Sequence, residues 1–218
     1  MTLIKLLIQP TFETIYMVVL SSFFALAIGL IIGILLYLTP KNGLYPKPLL
    51  YSVLDGVVNV LRSFPFIILM ILLFPLSRVV VGTTIGTTAT IIPLAIGAAP
   101  FVGRVVENAL KEVDDGTIEA VVAMGATHWQ LVTKALLPEA LPSLILGMSL
   151  TVINIIGYSA MAGAIGGGGL GDLAIRFGFH RFQTDVMIAA VAVIILLVQG
   201  TQWIGNFTAG RILAKRSS

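Results

Sequence analysis

The sequence predicts an all-α membrane protein of five transmembrane helices, and three observations predict it. Only 11% of the 218 residues are charged while 57% are hydrophobic, against roughly 25% charged in a soluble domain. So few charges cannot cover a water-facing surface, so most of the exterior must meet lipid. Five runs lack Asp, Glu, Lys, Arg and His altogether: 14–40, 63–77, 79–103, 140–171 and 186–210. These runs are continuous rather than alternating ten-residue segments, which excludes a barrel. Lipid offers the backbone no hydrogen-bond partner, so the spans must be helical.

A helical span needs about 20 residues. The first run supplies a core at 15–38. Lys5 ahead of it and Ala25-Leu26-Ala27 within it mimic a cleavable leader. The apolar stretch continues to Leu38, past the roughly 7–15 residues of a signal core, so it reads as a retained span. Its Gly29-x-x-x-Gly33 spacing lets a second helix approach closely. The second core, 56–76, begins near Gly56 and keeps Arg62 at its edge. Asp55, Asn59 and Arg62 stand at i, i+4 and i+7 and form a polar stripe at its inner end, readable as a gate or as an interfacial anchor. Gly82-x-x-x-Gly86 reads as a turn before the third core, 85–104; the fourth is 141–164 and the fifth 186–208. The chain, 1–218, thus forms a single transmembrane domain.

Lysine and arginine set the orientation, because cytoplasmic loops retain them. With the N-terminus outside, the cytoplasm receives nine: Lys41, Lys47, Arg62, Arg104, Lys111, Lys134, Arg211, Lys215 and Arg216. The outer side receives four, Lys5, Arg78, Arg176 and Arg181, which completes the 13. The reverse topology inverts that ratio, so N-out, C-in is preferred. The net charge of +3 therefore orients the chain and does not point to nucleic acid. With no cysteine, a disulfide framework, thiolate metal sites and a cysteine nucleophile are excluded. Five spans enclose little pathway alone, which points to a homodimer with a route along its two-fold axis.

Residues 105–139 form the most polar part of the chain. Glu107 and Lys111 stand in the favourable acid-before-base order, and Arg104 is four residues from Asn108. The third helix should therefore continue into water. Asp114-Asp115-Gly116-Thr117 then breaks it and caps a short helix over 118–124. Gly125 suits its left-handed stop. Thr127 and Gln130 fit a capping box, opening a second helix that Pro138 ends. Ala120, Val121, Val122, Ala123 and Met124 have no evident burial partner within the chain. Exposed apolar surface of that kind marks a docking site; the alternative is a plain connecting loop.

These residues resemble the cytoplasmic motif of ATP-binding-cassette (ABC) importer permeases: Glu-Ala-Ala, three residues, Gly, nine residues, Ile, one residue, Leu-Pro. Here Glu119-Ala120-Val121, Gly125, Ala135 and Leu137-Pro138 stand at that spacing. Val121 replaces the second Ala, and Ala135 replaces Ile; both substitutes remain apolar. Arg62-Ser63-Phe64-Pro65-Phe66-Ile67, Gly97-Ala98-Ala99-Pro100-Phe101, Val106-Glu107-Asn108-Ala109-Leu110 and Gly157–Gly163 resemble the methionine-uptake branch of that family. So does the glycine-rich stretch before Asp172. The resemblance spans residues 12–210 and implies a type I importer permease of the bacterial cytoplasmic membrane. It implies a coupling helix in which Glu119, Ala120, Val121, Ala123, Met124, Gly125 and Ala126 dock on an ATPase. It further implies a second copy of this chain, two ATPase subunits that hold ATP and Mg, and an extracytoplasmic substrate-binding lipoprotein. This chain carries no Gly-x-x-x-x-Gly-Lys-Ser/Thr, so it is expected to bind no cofactor and to catalyse nothing itself.

For the pathway, Asn154, Tyr158 and Met161 share a helical face, with Ser159 and Thr151 the other polar groups. Polar faces in a span usually turn inward; interhelical packing is the alternative. Gly166-x-Gly168-x-x-Gly171 has the spacing of a dinucleotide fingerprint but not its strand and helix context, and reads as a turn. Gly157-x-Ser159 lacks the second glycine of a nucleophile elbow. A stand-alone carrier would need an ionisable group in mid-span, and the five runs hold none.

Overall fold

The computed structural model describes residues 3–216; Met1, Thr2, Ser217 and Ser218 of the single-domain reading lie outside the described residues. Long helices dominate: α1 (Leu3–Leu38), α4 (Thr87–Lys111), α8 (Leu141–Gly163) and α10 (Thr184–Arg216) are each long and apolar enough to span a bilayer. Two shorter helices, α2 (Pro48–Ser63) and α3 (Phe66–Val81), meet at a bend of 111°. The expected straight span over 56–76 is therefore corrected to an elbow. The cause is local. Pro65 donates no N–H and holds Phe64 in extended backbone (φ −70°, ψ 133°), because an α conformation before proline clashes with its ring.

α4 is the central helix and packs on α1, α3, α8 and α2. Small side chains make this possible. Ala95, Ala98, Ala99 and Gly103 are buried on α4, and α1 crosses it at Gly29 and Gly33. A Cβ on Gly29 would lie 2.4 Å from Val102, and one on Gly33 2.5 Å from Val106. The Gly-x-x-x-Gly spacing of α1 thus lets α1 and α4 approach at two successive turns. One continuous core follows, from Met17 and Leu94 through Val102, Val106 and Leu110 to Leu131, Leu136 and Leu144.

At the far end from residues 105–139, the glycine-rich stretch forms the predicted turn before the short α9 (Gly169–Leu173). Its backbone is satisfied by protein. Glu13 accepts from Gly169 N–H at 2.9 Å, Thr14 accepts from Leu170 N–H at 2.9 Å, and Gly86 N–H donates to Gly166 C=O at 3.0 Å. A π-helical turn over Ala174–Phe179 then leads to α10.

Gly33→Leu should lower stability by about 1–3 kcal/mol, the usual cost of overpacking a filled contact. Thermal unfolding of the purified protein in detergent reads the shift.

Candidate functional site

The site is built on the return from α4 to α8. α4 runs to Lys111, and three residues later Asp114 caps α5 (Asp115–Ala123), its carboxylate accepting from Thr117 N–H at 3.3 Å. α5 ends where Gly125 takes a left-handed φ of +78°, a conformation that costs glycine no Cβ clash. The predicted capping box is present. Gln130 N–H donates to the Thr127 hydroxyl at 3.3 Å, and Thr127 N–H donates to the Gln130 side chain at 2.9 Å, opening α6 (His128–Leu131).

Two expectations change here. Pro138 does not end the following helix. A π turn over Val132–Leu136 carries the chain into the short α7 (Leu137–Glu139), and the break falls at Ala140 before α8. The π turn pairs Leu137 N–H with Val132 C=O, and Pro138 sits in the first turn of α7, where a missing N–H costs least. Nor is α5 wholly without a seat. Ile118 is buried among Leu110, Val113, Leu131 and Leu136, and Val121 is half-buried. Glu119, Ala120, Val122, Ala123 and Gly125 remain exposed; Met124 is 78% exposed and Trp129 74%. Beside them Val121, Met124, Gly125, Ala126, Gln130, Lys134 and Ala135 line an open cleft. The corner is thus a knob: Ile118 and, in part, Val121 seat it on the core, and its small and apolar tip is offered outward. Tyr45, from the 39–47 loop, meets His128 edge-on at 5.4 Å and braces it.

Directly behind the knob lies a polar network that sequence reasoning did not assemble. Glu107 on α4 is 1% exposed. One of its oxygens takes Arg104 and the other takes Lys111, each at 2.7 Å. The Glu107–Lys111 pair was expected; Arg104 turns from its expected neighbour Asn108 to Glu107. Arg104 also pairs with Asp55 on α2 and donates to Asn59 at 2.9 Å, while Asn59 donates to the second oxygen of Asp55 at 3.0 Å. Of the polar stripe of α2, Asp55 and Asn59 join α4, while Arg62 stays exposed outside the network. Two acid-and-base triplets at adjoining helix ends were the available signal.

The pathway residues separate. Asn154 and Met161 are exposed on one face of α8, along with Leu150 and Gly157. Tyr158 lies flat against Phe66, rings 4.2 Å apart and 8° from parallel, which ties α8 to the first residue of α3. Ser159 is buried on the opposite side and donates to Ile156 C=O at 2.8 Å, and Thr151 donates to Gly147 C=O at 2.9 Å. Those two hydroxyls bond within their own helix and lie away from the exposed Asn154–Met161 face. An exposed Asn in a span is costly against lipid, so this face of α8 needs a polar or protein neighbour.

Residues 25–206 match the family described as binding-protein-dependent transport system inner membrane component. A Vibrio cholerae serotype O1 protein named "Probable D-methionine transport system permease protein MetI" is 47% identical over 207 residues, 95% of this chain and 92% of the relative. The D-methionine transport system permease protein MetI of Escherichia coli K12 is 50% identical over 158 residues, 72% and 73% of the two chains. Among solved structures, an inward-facing conformation of the MetNI methionine ABC transporter superposes with a TM-score of 0.94 at 43% identity, covering 97% of this chain and 99% of the other. An amino acid ABC transporter crystallised with histidines shares the fold alone, with a TM-score of 0.78 at 20% identity.

Thr127→Ala should cost about 1 kcal/mol locally, because Gln130 N–H loses its acceptor. Amide hydrogen exchange over 128–131 should speed up while the amides of α4 keep their protection.

Proposed function

This chain belongs to the family of binding-protein-dependent transport system inner membrane components, and from that membership we propose which residues couple it to its engine and which line its route. It is an ABC importer permease. The proposed cargo is methionine, supported by the names of relatives near half identity along most of the chain. The single observation that carries the coupling assignment is the knob at Glu119–Ala126, whose apolar tip is exposed while its base is locked into the core.

On this reading the knob seats in a groove on a separate ATPase subunit, and two copies of this chain pair with two such subunits. ATP and Mg bind only the partner chains. Ala120 and Gly125 permit close approach because they are small, and Met124 adapts its flexible thioether side chain to the groove wall. Glu119 pairs or caps within the groove. Because α5 is three residues from α4 and is followed closely by α8, displacement of the knob tilts both helices. Nucleotide drives the cycle only by favouring one state of the pair over the other. The Asn154–Met161 face of α8 then lines the route between the two copies, where Asn154 escapes lipid. Tyr158, through Phe66, holds that face in place. An extracytoplasmic binding lipoprotein delivers the cargo to the opposite end, and the N-terminus lies outside with the C-terminus in the cytoplasm.

Proteoliposomes holding the assembled complex should take up labelled methionine only when ATP reaches the ATPase subunits. Gly125→Trp should leave ATP hydrolysis running while uptake falls about tenfold or more; normal uptake in that variant refutes the docking assignment. Since the chain has no cysteine, a single Ala120→Cys reports sidedness. Its thiol should resist impermeant maleimide applied to intact cells and react in inside-out vesicles stripped of the ATPase subunits.

A further inference from the structure

α2 is held to the protein in an unusual way. Of its 16 residues only Val58 is buried, and Leu49, Val53, Val57 and Val60 are at least half exposed. Its apolar seam on the bundle is narrow: buried Val58 with half-buried Tyr51, Leu54 and Leu61. Beside that seam Arg104 adds a directional polar hold, its guanidinium reaching Asp55 and Asn59 on α2 while also holding Glu107 on its own helix. The guanidinium is suited to this because its planar fork serves several acceptors in fixed directions. Glu107 leaves Arg104 little freedom: its carboxylate is enclosed, and Lys111 occupies its other oxygen. The bridge is thus anchored rigidly to α4 and grips α2 by polar contacts alone.

Each end of this bridge meets something that moves in the proposed cycle. Toward one side, α4 passes through Glu112, Val113 and Asp114 into α5. Toward the other, α2 ends at the proline elbow, after which Phe66 stacks on Tyr158 of the candidate route. We propose that Arg104, Asp55 and Asn59 form a strut that makes α2 and the elbow follow the docking knob, and that these three are positioning residues for transport. The elbow suits this role, since its backbone is already interrupted at Pro65 and can change angle without breaking a helical hydrogen bond there.

The inference rests on the permease reading, and one experiment separates the two. Complexes carrying Asp55→Ala with Asn59→Ala remove the α2 half of the strut and leave the Arg104–Glu107–Lys111 cluster paired. In proteoliposomes the uptake per ATP hydrolysed should fall roughly 5- to 20-fold, the range of an ordinary coupling energy, with assembly and melting temperature close to wild type. Asp55→Glu, which keeps the charge, should recover most of the ratio. An unchanged ratio in the double variant overturns the strut. So does a parallel loss of uptake, hydrolysis and assembled complex, which would make the network plain structural glue. If the wild-type complex itself shows no ATP-driven uptake, the failure belongs to the permease reading.

Discussion

A bilayer supplies no hydrogen-bond partner to an open backbone, and that constraint shapes each break in this chain. Where helices run unbroken the backbone satisfies itself. Where they stop, the protein provides the missing partner. Glu13 and Thr14 reach from α1 to two buried N–H groups at the start of α9, and Gly86 donates to the carbonyl of Gly166. Proline stands at the elbow, where it removes one donor and its carbonyl accepts from Ile68 and Leu69 N–H. The glycine-rich stretch can be irregular at this depth because α1 lines it. Removing either acceptor would leave a buried donor unsatisfied, at about 1–3 kcal/mol each.

Charge is treated the same way. An enclosed carboxylate such as Glu107 would be costly alone, and breaking a buried pair typically costs about 3–5 kcal/mol. Two cations from its own helix neutralise it, and one of them extends to α2. The cluster sits where α4 leaves the bundle for the α5 corner. It therefore stiffens the segment through which any push on the corner must enter the membrane domain. The anchor Ile118 and the brace from Tyr45 to His128 complete that stiffening from the other side.

Much of this was legible in the sequence, for physical reasons that differ by element. The long spans were plain because charge is excluded from them, and the corner because Asp114, Gly125, Thr127 and Gln130 each have a local task that depends only on near neighbours. The coupling motif added the family. The elbow was missed because the charge-free run from Ser63 is too short for a span, and extending it back across Arg62 to Gly56 joined two helices that the backbone separates at Pro65. The π turn was hidden because no residue type signals an i to i−5 bond. The burial of Ser159 and its bond to Ile156 C=O were not legible either, because residue type does not say which partner a span hydroxyl takes. The Arg104 bridge was invisible because 49 residues separate its partners, and pairing at that range follows from tertiary approach rather than spacing.

The widened turn at Val132–Leu136 has a bearing on chain length. A π turn holds one residue more than the α turn it replaces. The surplus sits between the capped corner and the start of α8, so both flanks keep their angular phase. The fixed spacing from Gly125 to Leu137-Pro138 runs straight through this turn. Chains that share the spacing therefore carry the same number of residues between the corner and α8, and the widened turn is where that count is absorbed.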